Sequence, residues 1–163
     1  MSETEVLQLD LADEAALQRC ARRMAPSLSE GAVIFLSGEL GAGKTTFARA
    51  LLQQLGVNAR IKSPTYSLIE SYAVPGMAIH HLDLYRIADA GELEWLGLAD
   101  LATDRANLLL VEWPERGAGH LPVPDLVLQL DHSSPGRRLA LRPNGRLGEA
   151  LLANLQKAWD AST

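Results

Sequence analysis

Residues 32–46 read Ala-Val-Ile-Phe-Leu-Ser-Gly-Glu-Leu-Gly-Ala-Gly-Lys-Thr-Thr, and they join two different kinds of structure. The run from Ala32 to Leu36 is continuously apolar and rich in branched and aromatic residues, the composition of a strand buried on both faces of a parallel sheet. Gly38-Glu39-Leu40-Gly41-Ala42-Gly43-Lys44-Thr45 follows, and its two framing glycines, lysine and hydroxyl residue match the pattern of a phosphate-holding loop. Glycine opens backbone conformations closed to other residues, so the loop N–H groups can approach phosphate oxygens. Phe47, Ala48, Leu51, Leu52 and Leu55 then recur at spacings of three and four, an amphipathic helix that stops at Gly56 and points its positive end at the loop. Strand, loop and helix agree, and the Gly-x-Gly-x-x-Gly spacing of a dinucleotide site is absent.

Upstream, Val6, Leu7 and Leu9 form a short strand-like run, and Asp13 can cap a helix carrying Leu17, Ala21 and Met24. Downstream, Tyr66 and Leu68, the turn pair Pro75-Gly76, and then Met77, Ile79 and Leu82 read as a hairpin whose second strand closes at Asp83. Asp89 can cap a short helix bearing Leu93 and Leu96. Leu108 to Val111 is a second fully apolar strand, ending in Glu112. Leu126 to Leu130 and Arg138 to Leu141 read as closing strands, and Leu147 to Trp159 as a terminal helix. Trp95 and Trp159 fall in apolar helical patterns and are expected in the core. The fold expected is α/β, a three-layer P-loop NTPase-like sandwich with a mixed, mostly parallel sheet, in one domain over residues 1–163.

The formal charge of −5 gives no net attraction to nucleic acid or to an anionic membrane, so neither a membrane nor DNA is expected as a partner. Cys20 is the only cysteine, which excludes an internal disulfide and fits a reducing cytosol. No apolar run approaches the ~20 residues that span a bilayer, and the acidic N-terminus does not read as a signal peptide. A cytoplasmic location follows as the expectation.

Carboxylates at strand ends are the usual complement of such a loop, because magnesium requires hard oxygen ligands. Asp83 and Glu112 are the candidates, one for the metal shell and one to orient water. Lys44 should reach the β- and γ-phosphates, and the Thr45 hydroxyl should ligate magnesium. Ser63-Pro64-Thr65 could present the Thr65 hydroxyl as a switch residue, and Trp113 could cover the site. Arg86 reads as an exposed salt-bridge partner. His80 and His81 point to opposite faces of a strand, which rules out a joint metal pair and leaves both structural.

Four ordered stretches, Gly38 to Thr46, Ser63 to Leu68, His81 to Arg86 and Val111 to Glu115, resemble the signatures of the bacterial TsaE (YjeE) ATPases. The resemblance implies an ATP-hydrolysing protein required for threonylcarbamoyladenosine in tRNA, acting on the TsaB–TsaD pair and meeting tRNA only through it. It implies ATP or ADP and magnesium as cofactors, with turnover slow alone and coupled to the partners. By position it assigns Lys44 and Thr45 to the phosphate and magnesium site, Thr65 to a switch-like loop, Asp83 to the catalytic carboxylate, Glu112 to magnesium and Trp113 to the rim, and Thr46 joins the loop residues expected to bind the nucleotide. Glu39 stands where the family commonly has aspartate, and Leu17 where many members have threonine. A small-molecule kinase is the rival, with Arg137-Arg138 as its lid; a non-catalytic ATP-dependent binding module is a second. A GTPase lacks its Asn-Lys-x-Asp run.

Overall fold

The computed structural model describes residues 6–58, 68–103, 107–133 and 135–161. Seven strands form one sheet: β1 (Leu7–Leu11), β2 (Ala32–Gly38), β3 (Ile69–Val74), β4 (Met77–Asp83), β5 (Asn107–Glu112), β6 (Leu126–His132) and β7 (Arg137–Pro143). Their order across the sheet is β1-β7-β6-β2-β5-β4-β3. β2 lies at the centre, parallel to β5 on one side and β6 on the other, and β4 runs parallel to β5. The β3–β4 hairpin turns at Pro75-Gly76, where Gly76 takes φ 81°.

The expectation of a mostly parallel sheet needs correction. Five of the seven strands, β1, β2, β4, β5 and β6, point the same way, yet three of the six pairings (β1–β7, β3–β4 and β6–β7) are antiparallel. The physical reason is that β6 and β7 form a second hairpin and β1 adds to its outer edge, so a helix crossover is needed only in the middle.

Helix α1 (Glu14–Met24) starts where Asp13 Oδ1 accepts from the Ala16 N–H at 2.8 Å, and Arg22 and Arg23 sit at its negative end. With α2 (Lys44–Gln54) and α4 (Gly145–Ala161) it covers one face of the sheet, packing Phe47, Leu51, Leu152 and Leu155 against Ile34, Leu36, Leu108 and Leu110. The opposite face carries a smaller cluster: Leu93 and Leu98, the latter on α3 (Leu98–Thr103), pack on Val33, Leu82, Leu109 and Val111. β5 therefore buries both faces, as its unbroken apolar run requires.

Trp95 is not in the core. It is 91% exposed, because Ala90–Leu96 winds as a 3₁₀ helix rather than an α-helix. Three residues per turn put Leu93 inward and turn Trp95 to solvent. Trp159 packs, partly buried, on the main cluster with the Arg23 guanidinium 4.9 Å from its ring centroid. Among the described residues no helix is long and apolar enough to cross a membrane.

Candidate functional site

Parallel strands β2, β4 and β5 end at one edge of the sheet, and their register aligns the chemistry there. Leu36 pairs with Glu112, and Glu112 with Asp83. Because side chains alternate along a strand, Ile79, His81 and Asp83 share the face of β4 that looks toward α2, as Leu108, Leu110 and Glu112 do on β5.

β2 runs into the glycine loop. Gly38 (φ 149°) approaches β6 so closely that a Cβ there would lie 2.1 Å from the Leu130 carbonyl oxygen. Gly43 (φ 108°) heads α2, and among the described residues no side chain caps that helix. Its first-turn N–H groups are left facing the loop, with no acidic residue in the turn to compete for them. A Cβ on Gly43 would meet Leu17 Cδ2 at 2.7 Å, so Leu17 forms an apolar floor under the loop rather than a polar contact. Arg137 braces the loop from β7, its Nε donating to the Ala42 carbonyl at 2.9 Å and Nη1 to the Gly136 carbonyl at 3.0 Å. This replaces the idea of an Arg137-Arg138 lid: both residues are strand residues, and Arg138 pairs with Asp10.

Lys44 is buried, and its Nζ donates to the carbonyls of Gly38 (2.6 Å) and Glu39 (2.8 Å) while lying 4.2 Å from the Trp113 ring centroid. Burial pulls its pKa below the ordinary lysine value, opposed by the charges of Glu112, Glu115 and Asp83. Thr45 Oγ1 donates to Glu112 Oε1 across 3.4 Å, and the other carboxyl oxygen, Oε2, lies 2.5 Å from His81 Nε2. Asp83 Oδ1 accepts from the Tyr85 N–H at 3.0 Å. Burial raises the Asp83 pKa above its usual value; the Tyr85 bond works the other way, and the Glu112 charge raises it further. Trp113 takes left-handed backbone (φ 57°), the only described non-glycine residue to do so, which turns its ring back over Lys44 and against Tyr85, 4.9 Å between centroids.

A cleft of about 270 Å³ results, lined by Leu40, Gly41, Gly43, Lys44, Thr45, Thr46, Asp83, Glu112 and Trp113 together with Tyr85. Of the other residues expected from sequence, Gly38 and Glu39 serve through their carbonyls on Lys44, and Ala42 through its carbonyl to Arg137. Thr65, with Ser63 and Pro64, lies outside the described residues. Arg86 is exposed and makes no ion pair among the described residues. His80 meets the Ser71 hydroxyl at 2.8 Å, away from the cleft, as a structural residue would. His81 and Arg137 were missed as site residues: His81 acts across the β4–β5 pairing and Arg137 reaches the glycine loop from β7, and local pattern reveals neither contact.

Fold and site define the class, a mixed α/β protein with a glycine-rich loop and two strand-end carboxylates at the carboxyl edge of its sheet. The family model for threonylcarbamoyl adenosine biosynthesis protein TsaE matches residues 11–139. A tRNA threonylcarbamoyladenosine biosynthesis protein TsaE from Haemophilus influenzae is 37% identical over 155 residues, 91% of this chain and 97% of the relative. The TsaE protein of Rickettsia felis is also 37% identical, across 73% of this chain and 68% of its own. The crystal structure of Bacillus subtilis YdiB superposes with a TM-score of 0.80 at 25% identity, covering 96% of this chain and 98% of that one. The chain belongs to the TsaE family.

Proposed function

We propose that this protein is a magnesium-dependent P-loop ATPase of tRNA threonylcarbamoyladenosine synthesis, slow alone and coupled to the TsaB–TsaD pair, meeting tRNA only through those partners in the cytoplasm. In this reading the sheet and its flanking helices form a P-loop NTPase-like sandwich. The observation that carries it is the convergence of Lys44, Thr45, Asp83 and Glu112 on one cleft in front of an uncapped helix.

The donor set fits the cofactors. Among the described residues no three His, Cys, Asp or Glu side chains cluster as a metal cage. Magnesium suits such a place, since it takes one or two protein oxygens and completes its shell with phosphate and water. Thr45 Oγ1 and Glu112 Oε1 would hold it, and it would supply charge neutralisation on the phosphate oxygens. The loop and first-turn N–H groups of α2 bind the phosphates. Lys44, already desolvated and aligned by the Gly38 and Glu39 carbonyls, offers its ammonium to the β- and γ-phosphates. Asp83, held by the Tyr85 N–H and raised in pKa by burial, orients the attacking water and accepts its proton. Trp113 shields the Lys44 side of the cleft.

The test is magnesium-dependent ATP hydrolysis by the pure chain, with and without TsaB and TsaD, using Asp83→Ala as control. A slow rate that rises with the pair and collapses in the variant supports the reading. Phosphate transfer to a metabolite faster than to water would establish the kinase instead.

A further inference from the structure

Among the described residues, three polar or charged side chains are buried: Lys44, Glu112 and His81. The first two belong to the cleft, while His81 stands behind it. β4 sets His81 opposite Leu110, two residues before Asp83 meets Glu112, so the imidazole lies alongside the Glu112 carboxyl group. The Nε2 to Oε2 distance is 2.5 Å, and each side chain is 2% exposed. His81 Nδ1 is buried too and has no hydrogen-bond partner among the described residues.

That asymmetry assigns the tautomer. A neutral imidazole has one N–H to place. On Nδ1 it would be a buried donor with nothing among the described residues to receive it; on Nε2 it donates to Glu112 Oε2. Oε2 is then tied, the carboxylate plane is fixed, and Oε1 is the oxygen left for Thr45 Oγ1. A ligand anchored on one oxygen by an outer partner presents the other in a set direction, and losing such a partner typically costs ~10- to 100-fold in metal affinity.

We propose that His81 is a positioning residue of the cation site: its Nε2–H holds Oε2 of Glu112 and thereby aims Oε1 at the place beside Thr45 where a divalent cation binds. The proposal rests on the reading that Thr45 and Glu112 hold magnesium, and adds a residue that never touches the cation.

The experiment is a titration of Mn²⁺ into the ADP-saturated protein, with free Mn²⁺ read by electron paramagnetic resonance, in the wild type, His81→Leu, His81→Gln and Glu112→Gln. Glutamine carries an N–H donor as many bonds from Cβ as His81 Nε2. His81→Leu should lose ~10- to 100-fold in Mn²⁺ affinity while metal-free ADP binding changes less than about twofold, and His81→Gln should recover most of the loss. Unchanged Mn²⁺ affinity in folded His81→Leu, or equal losses in the two His81 variants, would overturn the proposal, the second because only bulk would then matter. Glu112→Gln separates the layers. If it weakens Mn²⁺, the cation reading stands and His81 is judged by itself; if it does not, both fall. Should His81→Leu fail to fold, ¹⁵N NMR of the wild-type imidazole decides: a proton on Nε2 supports the proposal, and an Nε2 without one ends it.

Discussion

Lys44 shows how one side chain can be ready for an anion without wandering. Burial strips water from the ammonium, but the carbonyls of Gly38 and Glu39 replace two of its hydrogen bonds. Lys44→Ala should therefore weaken ATP binding by roughly 10²-fold, given charge-assisted hydrogen bonds worth ~1.5–3 kcal/mol each, and isothermal titration calorimetry measures this directly. Asp83 makes the opposite bargain. Its folded pKa lies above the unfolded value, so the folded chain holds the proton more tightly and ionisation of this carboxyl costs stability as pH rises through the raised pKa. Below the ordinary value of 3.8 the group is protonated in both states and the cost vanishes. Asp83→Asn, which keeps an oxygen for the Tyr85 N–H, should melt above the wild type at pH 8, and thermal unfolding should show the gap closing as pH falls toward 4.

Helix α4 docks through its glycine. A Cβ on Gly148 would stand 1.8 Å from the Asp125 carbonyl oxygen, an atom already accepting from the Asn144 N–H, while Asp125 Oδ2 and N–H bind the backbone of Val33. Gly148→Ala must push the helix away from β6, and urea unfolding should show a loss of about 1–3 kcal/mol, the usual cost of overpacking. Such contacts mark the boundary of what could be read from the chain. The buried strands Ala32 to Leu36 and Leu108 to Val111, the cap at Asp13 and the loop before α2 were legible because each is encoded within about a dozen neighbouring residues. The pairing of His81 with Glu112 spans 31 positions and depends on strand register, and Arg137 reaches Ala42 from 95 positions away, so neither leaves a local trace. Trp95 misled for another reason: the apolar spacing around it was judged at 3.6 residues per turn, and the segment winds at three.

Across the whole molecule the large cluster beneath α1, α2 and α4 encloses Cys20, which has no exposed surface. Burial pushes its thiol up to about 12, leaving roughly one part in 10⁵ as thiolate at pH 7. Ellman's reagent should label the native chain at least ~10³-fold more slowly than the same chain in denaturant, since only opening of this core admits it. The three tryptophans are distributed just as unevenly: Trp95 stands in solvent, Trp159 packs on the main cluster from α4, and Trp113 rests 4.2 Å from the ammonium that an incoming anion would engage. An indole beside a cation whose charge becomes paired changes its quantum yield, so this chain carries its own optical gauge of loop occupancy. Intrinsic fluorescence excited at ~295 nm should shift in intensity on adding ADP and magnesium, and Trp113→Phe should leave a signal from Trp95 and Trp159 that no longer responds.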